Sequence, residues 1–210
     1  MGILADGKTK IKCRRCNKVY YRFSGHRNPC PYCAKDALIP NGTIAVLKMS
    51  IRPGGHTDKN LCLEAGLGTK AKSGAIYLRS TFAVVEGPQK DKKFTVPIGI
   101  FSAKSDFWLH QGRELIREIL NSSQGLSNSD NSRTAVFSRI IDSYSILNGI
   151  CFVGVAGIRK NQNGREENCV SRILSGDDEE YKDLVAGKKF FPSRKVPPRS
   201  EPSSALWRLA

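Results

Sequence analysis

Four cysteines near the N-terminus constrain this chain more than any other feature. They form two pairs of the C-x2-C type, Cys13 with Cys16 and Cys30 with Cys33. A tight turn within each pair aims two thiolates at one point, and four thiolates are ligands that a tetrahedral structural zinc ion prefers. The spacing predicts a small zinc ribbon over residues 1–39, with structural Zn²⁺ as its cofactor.

Disulfides and a redox dithiol are the competing uses of these cysteines. Residues 1–12 contain three lysines and no long apolar run, so they do not have the pattern of a secretory signal. A reducing compartment disfavours disulfides, and a redox dithiol normally has one C-x2-C motif rather than two. We therefore expect zinc, and a cytoplasmic protein.

The charge of the chain indicates the kind of partner. Lysine and arginine number 34 against 19 aspartates and glutamates, a net charge of +15 that favours polyanions. Nearly half of this surplus lies in residues 1–39, where cationic and aromatic side chains are interleaved. Such a combination holds phosphates while rings stack on unpaired bases. The candidate contacts in this segment are Arg14, Arg15, Tyr21, Arg22 and Arg27.

A second domain is predicted over residues 40–186, after the turn signal Pro40-Asn41-Gly42. Alternating or β-branched segments predict strands, and apolar residues at helical spacing predict two helices between strand hairpins. The predicted strands are 43–51, 75–85, 92–101, 149–158 and 168–174, and the predicted helices are 106–122 and 132–145. Residues 56–74, rich in glycine and lysine, are predicted to form a loop. Pro97 cannot donate to a strand ladder, so it indicates an edge strand or a bulge.

Charged residues outside the predicted strands have simpler expected roles. Arg133 and Arg139 are expected on the exposed side of the second helix, where they add to a basic surface. The acidic run Asp177–Glu180 is expected to be a solvated strand end. Residues 187–210 are proline-rich and basic, so they cannot bury a core and are expected to be a disordered tail.

Three motifs of the second domain resemble one group of phage and prophage proteins. They are the run Tyr77–Phe94 with its Glu-Gly-Pro turn, the helical segment Gly112–Leu120, and Leu147–Val153. The group contains small single-stranded DNA-binding or recombination-associated proteins, and the likeness spans roughly residues 75–180. It implies an OB-like, mostly β domain that binds DNA without strong sequence preference in a bacterial or phage-infected cell, with replication or recombination proteins as possible partners. The basic C-terminus departs from the acidic tip of many such proteins.

The residues and the resemblance together predict an α+β, mostly β protein that binds single-stranded DNA without catalysis. Its second domain offers Tyr77, Arg79, Lys90, Lys92, Lys93 and Arg159 as contacts, with Trp108 as a further stacking residue or a core residue. Scattered carboxylates and three histidines form no familiar catalytic arrangement, and no apolar run is long enough to span a membrane. The alternative is a zinc-ribbon transcription factor or adaptor that binds duplex DNA or a polymerase.

Overall fold

The computed structural model describes residues 8–14, 17–23, 30 and 38–186, and the chain divides into two units, Met1–Ile39 and Pro40–Ala210. In the first unit, β1 (Lys8–Lys12) and β2 (Val19–Phe23) form an antiparallel hairpin. The predicted tail, residues 187–210, lies outside the described residues. No described helix is long and apolar enough to cross a lipid bilayer.

The second unit is built on a seven-stranded sheet whose strand pairs are all antiparallel. Its strands are β3 (Thr43–Arg52), β4 (His56–Asp58), β5 (Leu63–Lys70), β6 (Ile76–Val84), β7 (Lys93–Phe101), β8 (Cys151–Lys160) and β9 (Glu166–Ile173). The helices are α1 (Asp106–Gln124), α2 (Arg133–Ser138) and α3 (Glu179–Val185), with single 3-10 turns at Lys59–Leu61 and Tyr144–Leu147.

Strand β3 determines how the sheet curls. Its first half pairs with β8 and its second half pairs with β6, so one strand belongs to both halves of the sheet. Strand β6 in turn pairs with β3 and β5 along one side and with β7 along the other, and β7 approaches β9. The result is a mostly β unit with a curled, half-barrel sheet, which confirms the predicted class and is compatible with an OB-like domain.

Regular alternation in β6 separates the core from the solvent. Every second side chain from Ile76 to Val84 is buried, and Phe82 packs edge-on against Phe94 and Phe152 at centroid distances of 5.6 and 5.3 Å. The two predicted hairpins of this unit, β6–β7 and β8–β9, are confirmed. Among the described strands β7 pairs only with β6, so Pro97 lies on an edge strand as predicted.

Helix α1 confirms the first predicted helix and packs on β7. Its apolar residues Ile116, Ile119 and Leu120 are fully buried. The helix and the strand meet at two glycines, because a Cβ atom on Gly112 would overlap the carbonyl oxygen of Gly99. Only residues without side chains permit this close approach.

The prediction of a loop over 56–74 is wrong, because this segment contains β4 and β5. Leu63, Leu67 and Thr69 are buried, as expected for a strand that contributes to the core. The strand alternation is interrupted by Ala65 and Gly66, whose φ angles of 50° and 70° are left-handed. This irregularity explains why the period of two is not visible in the sequence.

The second predicted helix is shorter than expected, and Arg139 is not exposed. Helix α2 ends at Ser138, and the next residue turns inward to 2% exposure. The Nε of Arg139 donates to Oδ1 of Asn121 at 2.8 Å, and its Nη2 donates to the carbonyl of Ser127 at 3.1 Å. These partners come from α1 and the following loop, so spacing within α2 does not predict them. Arg133 remains exposed, as expected.

The acidic run is the start of a helix rather than a strand end. Asp178 precedes α3, and its Oδ2 accepts from the Ser175 N–H at 2.7 Å while its Oδ1 accepts from Arg172 at 3.2 Å. Glu179 and Glu180 occupy the first turn of the helix. Carboxylates are favourable there because the N-terminus of a helix carries partial positive charge.

Candidate nucleic-acid interface

The solvent-facing side of β3, β6 and β7 is the strongest candidate site in the described residues. We call it the outer face. Buried residues alternate with more exposed ones along the second half of β3, all of β6 and the first part of β7, so one set of side chains from each strand projects from the same side of the sheet. The outer face consists of Lys48, Ser50 and Arg52 from β3, Tyr77, Arg79, Thr81 and Ala83 from β6, and Lys93, Thr95 and Pro97 from β7.

Strand register brings the basic residues of this face together. Arg52 lies directly opposite Arg79 in the β3–β6 ladder. At the other end of the face, Lys48 and Lys93 lie opposite Ala83 from its two sides. The three strands contain no aspartate or glutamate, and neither arginine has an ion-pair partner among the described residues.

Opposed like charges on one sheet face are unfavourable in isolation. Side chains directly across a strand pair have Cβ atoms about 4.5–5.5 Å apart, and like charges at that spacing destabilise the pair. A bound polyanion removes this repulsion, because its phosphates supply the missing negative charge. The Arg52–Arg79 pair therefore marks the outer face as a surface suited to phosphates.

Aromatic side chains border the arginine pair. Tyr77 is half-buried, two positions from Arg79 on the same strand, and lies opposite Gly99 of β7. A Cβ atom on Gly99 would overlap the indole of Trp108, so this half-buried ring borders the outer face at its Tyr77 end. Its neighbour Phe107 is 69% exposed. Cationic and aromatic groups thus lie side by side, as in surfaces that bind unpaired strands.

The other predicted contacts of this unit lie off the outer face. Lys90 is exposed and Lys92 is half-buried in the turn that joins β6 to β7, next to Lys93. Arg159 lies in the β8–β9 hairpin, where its Nε pairs with Oε1 of Glu167 at 2.9 Å. The charge of Arg159 is therefore already balanced within the protein, in contrast to that of Arg79.

The first unit contributes fewer described contact residues. Arg14 is exposed in the turn after β1, Tyr21 is 56% exposed in β2, and Arg22 follows it in the same strand. Arg15 and Arg27 lie outside the described residues. The structure therefore places Tyr77, Arg79 and Lys93 on one surface and Tyr21 with Arg14 on a separate unit.

Two of the four predicted zinc ligands, Cys13 and Cys30, can be located. The N–H of Cys13 donates to the Lys18 carbonyl, and the N–H of Asn17 donates to the Cys13 carbonyl, both at 2.9 Å. These two hydrogen bonds fix the backbone of Cys13 at the end of β1. Cys30 is buried, with 6% exposure. Cys16 and Cys33 lie outside the described residues, which contain no group of three metal-ligating side chains.

Sequence reasoning missed Lys48 and Arg52. The sequence feature that could have identified them is the alternation of polar and apolar residues in the second half of β3, where both lie on the polar side. The alternation predicts that they share a face. It does not predict that β6 is the neighbouring strand, which is what brings Arg52 to Arg79.

Comparison with known proteins adds no assignment. No protein-family model matches the chain, and no curated protein matches it. The resemblance to phage single-stranded DNA-binding proteins therefore stays a prediction that the three sequence motifs carry.

Proposed function

We propose that this protein binds single-stranded nucleic acid without catalysis, in phage or prophage replication or recombination, through the outer face of an OB-like domain. The observation that carries the proposal is that Arg52 of β3 lies opposite Arg79 of β6, on an outer face whose three strands contain no acidic residue. A surface of this kind is stabilised by a partner with closely spaced negative charges.

The order of the elements supports the OB-like assignment. Strands β3, β6 and β7, helix α1, and strands β8 and β9 follow one another as in a five-stranded OB barrel with a helix after its third strand, and β4 and β5 form an insertion. In such barrels the face of the second and third strands binds oligonucleotides. Here those strands are β6 and β7, which supply Tyr77, Arg79 and Lys93.

Aromatic side chains favour an unpaired strand over a duplex. Stacking on Tyr77 requires a base whose flat surface is accessible, which a base in a duplex does not offer. Phosphate contacts alone would serve either form equally. The combination of Tyr77 with the arginine pair is therefore the reason to propose a single strand.

The N-terminal unit is proposed to be a zinc ribbon. The turn at Cys13 and the burial of Cys30 fit thiolate ligands of a structural zinc ion, with Cys16 and Cys33 completing the set. Zinc content measured on the purified chain tests this part, with one ion per chain expected and Cys13→Ser expected to lower it. Zinc-free protein that keeps its β1–β2 hairpin would overturn it.

A salt titration of oligonucleotide binding tests the proposed function. Fluorescence anisotropy with a single-stranded probe is recorded from about 50 mM to about 200 mM salt. If the four cations Lys48, Arg52, Arg79 and Lys93 all contact phosphates, log K should fall with log salt at a slope of about −2.8 from this face alone. In the double variant R52Q/R79Q, the slope of log K against log salt should be less negative by about 1.4, and binding should be weaker.

A matched control separates local contacts from total charge. The control variant R133Q/K182Q removes two exposed cations on α2 and α3, neither of which belongs to the outer face. Equal losses of oligonucleotide affinity in R52Q/R79Q and R133Q/K182Q would contradict the proposal.

Competition between single-stranded and duplex DNA tests the alternative function. A zinc-ribbon transcription factor or adaptor should prefer the duplex or a polymerase.

A further inference from the structure

We propose that the β1–β2 hairpin carries a second surface for the same unpaired strand, so that the chain holds one polynucleotide at two points. We call this surface the hairpin face; it consists of Lys10, Lys12, Val19 and Tyr21. The inference rests on the proposed function of the outer face. It assigns a binding role to Lys10 and Lys12 and predicts how affinity depends on strand length.

Strand register places these four side chains on one side of the hairpin. Lys10 lies opposite Tyr21, and Lys12 lies opposite Val19. All four are exposed, Tyr21 at 56% and Val19 at 41%. The alternate residues Thr9, Ile11 and Tyr20 are half-buried and project from the other side.

The hairpin face has an exposed aromatic ring beside two ammonium groups. Neither strand contains an acidic residue, so no carboxylate within the hairpin balances Lys10 and Lys12. An unpaired nucleic acid satisfies both features, because its phosphates pair with the lysines and its bases stack on the ring. An acidic protein segment would satisfy only the charges, and it becomes an outcome of the test below.

Two surfaces on one chain make affinity depend on the length of the strand. Once a strand occupies the outer face, the hairpin face meets the rest of that strand at a high effective concentration. A strand too short to reach both surfaces gains nothing from the second. Avidity of this kind raises affinity by about 10²–10⁴ without changing either contact.

A series of thymidine oligomers from about 6 to about 30 nucleotides tests the proposal on the full-length chain. The variant K10Q/K12Q/Y21A should bind the shortest oligomers as the parent does and bind the longest at least about tenfold more weakly. Tyr21→Phe keeps the ring and should retain the length dependence. Zinc content and circular dichroism of each variant show whether the hairpin still folds.

The outcomes separate this proposal from the proposed function. If the triple variant keeps the parent's affinity at every length, the hairpin face does not bind, whereas the outer face stands as long as R52Q/R79Q is impaired. If the parent binds no oligomer, both proposals fall. Polyglutamate serves as a competitor that carries negative charge but no bases. If it displaces the long thymidine oligomers from the parent as effectively as unlabelled thymidine oligomers do, recognition is by charge alone and the stacking role of Tyr21 is overturned.

Discussion

Arg52, which is exposed, and Arg79, which is half-buried, lie directly opposite each other on neighbouring strands of the outer face, without an acidic partner among the described residues. A sheet that served only stability would place a carboxylate or a neutral residue at one of these positions, because opposed like charges cost free energy. We therefore propose that an external polyanion supplies the negative charge that this face lacks.

The substitution Arg79→Gln should change stability and binding in opposite directions. Removing the repulsion from Arg52 should raise the free energy of unfolding by about 0.2–1 kcal/mol. Loss of one phosphate contact should weaken oligonucleotide binding about five- to tenfold. Urea denaturation and anisotropy measure the two effects, and Arg79→Lys, which keeps the charge, serves as the control. A variant that is less stable and binds as well as the parent would refute the assigned role.

Arg159 should contribute much less to binding than Arg79. Its guanidinium already pairs with Glu167 at 2.9 Å in the β8–β9 hairpin, so binding a phosphate would require it to exchange partners. Exposed ion pairs of this type contribute at most about 1 kcal/mol to stability. We expect Arg159→Gln to weaken oligonucleotide binding less than about twofold in the same anisotropy assay. A loss equal to that of Arg79→Gln would show that the β8–β9 hairpin belongs to the binding surface.

Gly112→Ala should destabilise the second unit even though alanine favours helices. The intrinsic preference of alanine contributes about 1 kcal/mol in a helix interior. At Gly112 the added methyl group overlaps the carbonyl oxygen of Gly99, so α1 must move away from β7. We expect a net loss of about 1–3 kcal/mol in thermal or urea unfolding. Gln111→Ala, at an exposed position of the same helix, should change stability by less than about 0.5 kcal/mol.

Alkaline unfolding should depend on Tyr144. Burial raises the pKa of this phenol from its ordinary value of 10.0 to about 12. The unfolded chain therefore ionises first, and the stability due to the neutral buried ring is present below pH 10.0 and lost as pH rises toward 12. Between about pH 9 and about pH 11.5, the parent should lose about 2 kcal/mol more than Tyr144→Phe in urea unfolding. Parallel losses in both proteins would contradict the burial of this residue.

The sequence predicted those parts of the candidate site that depend on one strand or one hairpin. Alternation placed Tyr77 and Arg79 in one strand and Lys93 in its partner, and the ladder brings all three to one face. Arg52 was missed because its importance depends on the pairing of β3 with β6, a contact between segments far apart in the chain. Non-local pairings of this kind leave no periodic signal in either segment.

A backbone irregularity and a tertiary contact account for two errors in the predicted fold. Strand β5 was missed because left-handed backbone at Ala65 and Gly66 interrupts its alternation. Helix α2 was predicted too long because Arg139 is held by Asn121 of α1, a partner that the helical spacing of α2 does not reveal.

Photochemical crosslinking of a single-stranded oligonucleotide to the full-length protein, with the attached peptides identified by mass spectrometry, tests the proposed interface most directly. We predict crosslinks at Tyr77 and elsewhere in β3, β6 and β7, and their loss in R52Q/R79Q but not in R133Q/K182Q. Crosslinks confined to other parts of the chain, with the peptides of β6 and β7 unmodified, would contradict the assignment of the outer face as the binding surface.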